Sequence, residues 1–200
     1  MNDRHIQWQY SKVSKQARQL MHAHKSCVLW LTGLSASGKS SIAYELERRL
    51  FAQRIQAYVL DGDNLRHGLN RDLGFTSEDR SENIRRTAEA AKLMVDVGVI
   101  VIVSLISPYQ ADRQLARVLF DEGEFIEVYV NCPLLICEER DPKGLYKKAR
   151  EGTISNFTGI SAPYEPPLKP DIVLRSHEQS LQESAEQIQH YLQSKRILDR

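Results

Sequence analysis

The segment that constrains this chain most is a glycine-rich loop between a run of apolar residues and a helical pattern. The loop reads Gly-Leu-Ser-Ala-Ser-Gly-Lys-Ser over residues 33–40 and fits the pattern G-x-x-x-x-G-K-[ST]. Residues 28–32 before it are typical of a buried strand, and residues 40–46 after it begin a helix. A strand, a tight loop and a helix in this order predict a loop that wraps the phosphates of a nucleoside triphosphate.

Each residue type in this loop suits phosphate binding. Glycine lets the backbone curl so that successive N–H groups point at an anion, and the helix that follows adds its partial positive N-terminus. The lysine supplies a cation for the outer phosphates, and the last hydroxyl is placed to bind Mg²⁺. The predicted triphosphate site comprises Gly33, Leu34, Ser35, Ala36, Ser37, Gly38, Lys39 and Ser40. The alternative, a turn that only links strand to helix, requires motif and context to coincide by accident.

Composition acts mainly by exclusion. The 27 basic residues balance 26 acidic ones, so no global field favours nucleic acid or an anionic membrane as a partner. No run approaches the roughly 18 apolar residues of a membrane span, and the N-terminus lacks the apolar core of a signal peptide. Cys27, Cys132 and Cys137 are odd in number and lack C-x-x-C spacing, which indicates free thiols in a reducing cytoplasm. His22 and His24 have no partner cluster for zinc.

Further apolar runs alternate with helical patterns along the chain. Strands are predicted at residues 56–60, 99–106, 125–130 and 171–174. Apolar spacing predicts helices through 84–95 and 181–192, and residues 76–79 resemble a capping box before the first of them. This alternation predicts an α/β protein, a three-layer P-loop NTPase fold with a mainly parallel five-stranded sheet. We expect a single domain over residues 1–200, with an N-terminal extension over 1–25 whose polar residues wrap the surface.

Acidic residues follow the second predicted strand. Ligands of parallel α/β sheets bind beyond the carboxyl ends of the strands, where Asp61 and Asp63 lie, whereas the run 99–106 ends without an acid. Asp61 is therefore the candidate for contacting the Mg²⁺ shell or for accepting the proton of a substrate hydroxyl. The alternative is that both acids are ordinary turn residues, since Asp-Gly is common in turns.

Basic residues form two stretches after these acids. The first contains Arg66, His67, Arg71, Arg80, Arg85 and Arg86 and suits a second anionic substrate, because arginine binds phosphate and sulfate bidentately. Adjacent arginines cannot share one helix face, so at least one of the last two is structural. The second stretch, residues 141–150, predicts a mobile lid over about 140–160 that closes over phosphates. A solvated helix face is the alternative for both.

Phe75 and Phe157 lie in polar, glycine-containing neighbourhoods. Aromatic rings on loops can stack against a nucleobase, because stacking needs only a π-face. Core packing is the usual role of phenylalanine, however, and the residues alone favour it.

Several longer motifs resemble the adenylylsulfate kinase family. The run Asp-Gly-Asp-Asn-Leu-Arg-His-Gly-Leu-Asn over residues 61–70 is the most specific, whereas the loop at 33–40 alone indicates only an NTPase. Other similar motifs occur in the same order at residues 73–75, 79–80, 82–86, 106–109, 140–146 and 157–160. The resemblance extends from about residue 8 to residue 174.

The resemblance implies a P-loop kinase that transfers the γ-phosphoryl group of ATP to the 3′-hydroxyl of adenosine 5′-phosphosulfate (APS). The products are ADP and 3′-phosphoadenosine 5′-phosphosulfate, within sulfate assimilation. ATP with Mg²⁺ is the implied donor, with no other cofactor. Family members are commonly homodimers, so the resemblance implies a second copy of the chain as a partner.

The resemblance also implies roles for individual residues. Lys39, Asp61 and Ser107 would be catalytic. Arg140 would join the loop in binding ATP, and Ser40 would hold Mg²⁺ together with Asp61. The implied acceptor-binding residues are Asp63, Arg66, Phe75, Arg80, Asn83, Ile106, Ser107, Lys147 and Phe157. Among these, the two phenylalanines would stack on adenine, which reverses the core-packing interpretation.

Two mechanisms stay open for Ser107. In the family the matching serine has been proposed to carry the phosphoryl group as a covalent intermediate. Direct in-line transfer is physically simpler, because two bound substrates, Mg²⁺ and a cationic cradle already supply positioning and charge stabilisation.

Departures from the family's pattern are few. Ala36 replaces a frequent glycine and Ser41 a usual threonine, and neither change threatens ATP binding. Ser161 stands where aspartate is usual, which removes a charge near the acceptor loop.

Two other functions stay open. One is a kinase of the same fold that acts on another small acceptor, such as a nucleoside monophosphate or a sugar acid. The other is a nucleotide switch that binds partners, although the chain lacks the Asn-Lys-x-Asp motif that reads guanine.

Overall fold

One five-stranded sheet runs through the computed structural model, which describes residues 6–198. All strands are parallel, in the order β2-β3-β1-β4-β5. They are β1 (Val28–Thr32), β2 (Ala57–Asp61), β3 (Ile100–Ser104), β4 (Phe125–Asn131) and β5 (Ile172–Arg175). The predicted α/β fold is confirmed, and each strand lies within about one or two residues of its predicted place. Residues 1–5 of the predicted N-terminal extension lie outside the described residues.

Eight helices accompany the strands in the described part of the chain: α1 (Lys15–His22), α2 (Lys39–Ala52), α3 (Gly62–Arg66), α4 (Ser77–Val97), α5 (Gln110–Arg117), α6 (Leu134–Arg140), α7 (Leu145–Arg150) and α8 (Leu181–Ser194). The patterns predicted α2, α4 and α8, but not α1, α5 or α6. The helix α4 begins where the capping pattern indicates, since the Thr76 side chain accepts the N–H of Asp79 at 3.2 Å.

The helices cover both faces of the sheet and complete the three layers. On one face α2 and α8 pack against Leu29 and Leu31 of β1. On the other face α4 and α5 pack against Val28 and Trp30 of the same strand. Every residue of β1 is buried, as expected for a strand covered on both sides.

The N-terminal segment does not simply wrap the surface as a polar chain. Residues 15–22 form helix α1, whose Lys15 contacts Asp121 at 2.6 Å and also pairs with Glu124. Arg18 reaches the backbone oxygen of Asp96 at the end of α4. These long-range ion pairs and hydrogen bonds hold the helix against the domain, and local sequence spacing does not reveal them.

The predicted free cysteines are confirmed, and all three are buried. Between residues 6 and 198, no helix has the length and apolar character needed to cross a membrane.

Candidate active site

The glycine-rich loop joins the end of β1 to the start of α2, as the motif predicts. Gly33 lies so close to β4 that an added Cβ would be 2.5 Å from the backbone oxygen of Val130, so no larger residue fits. Gly38 precedes α2 with a φ of 98°, which glycine adopts at low cost. Two side chains outside the loop donate hydrogen bonds to its carbonyls, Tyr146 to Ser35 at 3.0 Å and Ser176 to Ser37 at 2.7 Å.

Lys39 opens α2 and turns back over the loop. Its Nζ donates to the backbone oxygen of Leu34 at 2.7 Å, and the residue is only 7% exposed. Burial lowers the pKa of Lys39 to about 8 from its ordinary value of 10.5, because a desolvated ammonium is unfavourable. The side chain is therefore held where anionic phosphates would favour its protonated form and raise that pKa again.

Ser40, in the first turn of α2, and Asp61, at the end of β2, come together beyond the carboxyl ends of the strands. The Ser40 hydroxyl donates to Asp61 Oδ2 at 2.7 Å and lies 3.2 Å from the hydroxyl of Ser104. Asp61 ends β2 and Ser104 ends β3, and the two are partners in the parallel ladder. Carboxylate and hydroxyl oxygens are ligands suited to Mg²⁺. The sequence patterns did not single out Ser104, although its place at the end of the third predicted strand was a usable signal.

Arg66, Phe75 and Arg80 form one group beside the Asp61 turn. The Arg66 guanidinium lies 4.3 Å from the centroid of the Phe75 ring, and that of Arg80 lies 5.8 Å away. Phe75 is 61% exposed, so its ring is accessible to a ligand. Backbone oxygens orient both arginines: Arg66 donates to Gly74 at 2.9 Å and Arg80 to Phe75 at 3.1 Å.

Asn83 lies one turn further along α4 and is buried. Its Oδ1 accepts a hydrogen bond from Asn70 Nδ2 at 2.9 Å, which leaves the amide N–H₂ of Asn83 as the group able to donate. Asn70 is itself fully buried. The patterns did not single out Asn70, although it ends the motif at residues 61–70.

Arg85 and Arg86 both form ion pairs with acidic side chains. Arg85 pairs with Glu82 at 2.7 Å. Arg86 pairs with the same carboxylate at 2.8 Å and with Asp72 at 2.7 Å. The spacing predicted that at least one of these two arginines would be structural. Arg86 fits that prediction, because it connects α4 to Asp72.

The predicted lid segment contains the end of α6 and all of α7. Asp141 caps α7 by accepting the N–H groups of Leu145 at 2.8 Å and Tyr146 at 2.9 Å. Lys143 forms an ion pair with Asp63, which connects this segment to the turn after β2. Arg140 donates to the backbone oxygen of Ser176 at 2.7 Å, next to the glycine-rich loop. The Lys147 side chain is exposed.

Phe157 is placed differently from Phe75. It is only 9% exposed and contacts Tyr146 edge-to-face, with 5.0 Å between ring centroids. Cys132, Cys137 and Ala149 belong to the same apolar cluster. Arg80 nevertheless connects the two aromatic segments, because it donates to the backbone oxygen of Asn156 at 2.8 Å. The position that departs from the family, Ser161, accepts the N–H of Phe157 at 3.0 Å.

Ile106 and Ser107 form the turn after β3. Ser107 is 2% exposed, and its hydroxyl accepts a hydrogen bond from the Trp30 indole at 3.0 Å. Thr32, at the end of β1, donates to the backbone oxygen of Ile106 at 2.7 Å. The turn is thus attached to the strand that precedes the glycine-rich loop.

Comparison with known proteins decides the family. The family model described as adenylylsulphate kinase matches residues 25–175. The chain belongs to the adenylylsulfate kinase family. The probable adenylyl-sulfate kinase of Bacillus subtilis is 54% identical over 96% of this chain and 97% of its own length. The adenylyl-sulfate kinase of Oceanobacillus iheyensis is 56% identical at the same coverage of both chains.

A solved relative supports the same assignment. The structure of the Mycobacterium tuberculosis APS kinase CysC, in complex with AMPPNP and APS, superposes with a TM-score of 0.81 at 49% identity. It covers 85% of this chain and 99% of the other. A gluconokinase from Sinorhizobium meliloti, at 17% identity and a TM-score of 0.56, shares only the fold. This adenylylsulfate kinase family member is accordingly an ATP-dependent kinase.

The two phenylalanines should respond differently to truncation. We expect Phe75→Ala to raise the KM for APS about tenfold, since base–aromatic stacking is worth about 1–3 kcal/mol. Because Phe75 is exposed, its loss should change the free energy of unfolding by less than about 0.5 kcal/mol. Phe157→Ala should instead cost about 3–5 kcal/mol of stability, because it opens a cavity. Denaturant unfolding and steady-state kinetics on both variants test this, and equal destabilisation by both would contradict it.

Proposed function

We propose that this chain transfers the γ-phosphoryl group of ATP to the 3′-hydroxyl of APS and forms ADP and 3′-phosphoadenosine 5′-phosphosulfate, within sulfate assimilation. One observation carries the proposal. The Ser40–Asp61 hydrogen bond joins the glycine-rich loop to the acidic turn that begins the motif over residues 61–70. The relatives of this chain are named for this activity. The segments assigned to donor and acceptor therefore meet beyond the carboxyl ends of the strands.

The donor half is assigned to the loop at 33–40 and to Arg140. Backbone N–H groups and Lys39 would bind the phosphates, and Arg140 would flank the nucleotide from the end of α6. Ser40 and Asp61 would hold Mg²⁺, whose positive charge neutralises phosphate oxygens when it is bound. Because Asp61 Oδ2 accepts the Ser40 hydroxyl, its position favours this role over that of proton acceptor.

The acceptor half is assigned to the group around Phe75. Arg66 and Arg80 supply positive charge for the phosphosulfate, and the exposed ring of Phe75 supplies a face for adenine. The amide N–H₂ of Asn83 adds a donor, and Lys147 would approach from α7. Ile106 and Ser107 would line the acceptor from the turn after β3, with Asp63 at the entrance beside Lys143. Phe157 would contribute an edge of its ring from the apolar cluster.

Direct transfer between the substrates is the mechanism we favour. The Ser107 hydroxyl is buried and bound to the indole of Trp30, so the turn would have to open before it could accept a phosphoryl group. Positioning of both substrates and preorganised positive charge lower the barrier without a covalent intermediate.

We also propose a cytoplasmic homodimer. Three buried free thiols fit a reducing compartment. Leu20 and Met21 on α1 and Leu93 on α4 are exposed apolar side chains on neighbouring helices, which supports a second copy of the chain covering them.

ADP release with Mg²⁺–ATP tests the function directly. We expect strong stimulation by APS and little by AMP or without an acceptor. Lys39→Ala serves as the matched control and should lower turnover by about 10²–10³, as loss of one preorganised charge does. Stimulation by AMP instead would overturn the acceptor and keep the kinase. Silence with every acceptor, despite ATP binding, would favour the nucleotide switch.

Ser107→Ala distinguishes the two mechanisms. Direct transfer predicts that the variant keeps turnover within about tenfold of wild type, because only a hydroxyl that accepts one hydrogen bond is removed. Wild-type enzyme incubated with γ-labelled ATP alone should hold no phosphoserine. Loss of activity to the level of Lys39→Ala, with phosphoserine trapped in the wild type, would establish the covalent route.

ATP binding should take up a proton in alkaline solution. The pKa of Lys39 is lowered by burial to about 8, and bound phosphates favour its protonated form and raise that pKa again. ATP affinity should therefore fall as pH rises above about 8. Titration calorimetry at about pH 9, in buffers of different ionisation enthalpy, measures the proton uptake. Lys39→Arg is the control, because arginine stays charged. The same uptake by both proteins would contradict this origin.

A further inference from the structure

Arg113 on α5 connects three separate segments from inside the protein. It is 3% exposed, and each of its three guanidinium nitrogens donates a hydrogen bond. Nε donates to Glu127 of β4 at 2.8 Å, Nη1 to the backbone oxygen of Ser107 at 2.6 Å, and Nη2 to the backbone oxygen of Glu165 at 2.8 Å. One side chain thus joins strand β4, the turn after β3 and the segment that contains Glu165.

The Ser107 turn requires such support. Ser107 has a φ of 46°, in the left-handed region, which costs a residue with a Cβ about 1–2 kcal/mol. Such a conformation persists only where the surroundings hold it. Arg113 donates to the Ser107 carbonyl at 2.6 Å, and the Thr32 hydroxyl, whose single hydrogen is donated to the adjacent carbonyl of Ile106, lies 3.3 Å away.

The segment around Glu165 is fastened to the same turn. The Glu165 N–H donates to the backbone oxygen of Pro108 at 2.8 Å, and its carboxylate accepts the N–H of Gln110 at 2.7 Å. The hydroxyl oxygen of the preceding residue, Tyr164, lies 3.0 Å from the hydroxyl oxygen of Thr32. Arg113 lies where these connections meet, so the 157–165 segment and the Ser107 turn share one anchor.

We propose that Arg113 is a positioning residue for the phosphoryl acceptor. It holds the turn of Ile106 and Ser107 at a fixed position relative to residues 157–165. It thereby sets the distance between the two segments that we assign to the acceptor. This inference rests on the proposed function, because both segments are assigned to APS. Arg113 itself does not reach the acceptor, since it is buried below the two segments.

Charge balance alone does not explain Arg113. Arg117 also approaches Glu127, at 3.5 Å, and pairs with Asp171 at 3.2 Å. A cation beside Glu127 could be a lysine, whereas two carbonyls and one carboxylate in fixed directions need the planar fork of arginine. Arg113→Lys therefore separates the roles: it leaves a positive charge near the buried carboxylate and removes the fork. Arg117→Lys is the matched control, because Arg117 contacts neither Ser107 nor Glu165.

Steady-state kinetics give the first readout. We expect Arg113→Lys to raise the KM for APS about tenfold, because a small misplacement of a reactant carries a large rate and binding penalty. The KM for ATP should change by less than about twofold, because the glycine-rich loop keeps its own contacts. Arg117→Lys should change neither value. Equal changes for both substrates, or no change for APS, would overturn the proposal.

Hydrogen exchange gives a second readout that does not depend on activity. In Arg113→Lys, backbone amides in residues 105–109 and 157–166 should exchange faster together, while Arg117→Lys should match wild type. Unchanged exchange in either segment would overturn the shared anchor even if activity fell. If wild-type enzyme did not respond to APS at all, the proposed function would fail, and the exchange result would still decide whether Arg113 holds the two segments.

Discussion

The parallel pairing of β1 with both β3 and β4 is the constraint on which the rest of the structure depends. Because β1 is central, the glycine-rich loop leaves the sheet between two strands whose carboxyl ends lie beside it. Thr32 at the end of β1 reaches the turn after β3, and Gly33 touches the backbone of β4. A loop with these neighbours has little freedom, so the phosphate-binding backbone is preorganised before any ligand arrives.

Two buried cations, Lys39 and Arg113, have different roles in and around the candidate site. Lys39 is held against the backbone carbonyl of Leu34 and has a pKa lowered by burial, so a bound phosphate would favour its charged form. Arg113 instead donates from each of its three nitrogens to an acceptor of the protein and is buried, which makes it an anchor and not a ligand. The same chemical feature, a buried cation, thus serves binding in one place and positioning in the other.

The features predicted correctly from the sequence are those that depend on residues close together in the chain. Five strands, the glycine-rich loop and the N-cap of α4 follow from residue order, because apolar periodicity and capping act over a few residues. The pairing of Ser40 with Asp61 was also within reach, since both follow strands of one parallel sheet. Spacing did not reveal α1, which is held by ion pairs with residues about a hundred positions away. For Phe157 the residues alone favoured core packing, and its burial against Tyr146 agrees with that interpretation.

The sequence by itself determined the fold class, the triphosphate loop and the family, because each is written in contiguous motifs. The tertiary structure alone decided which basic residues stay accessible to a ligand and which are occupied. Arg66 and Arg80 flank an exposed ring, whereas Arg86 pairs with Asp72 as well as with Glu82, and Arg113 is buried among three segments. The physical reason is that whether an arginine is occupied depends on acceptors that other parts of the chain bring to it, as Asp72 is brought to Arg86 and the Glu165 carbonyl to Arg113.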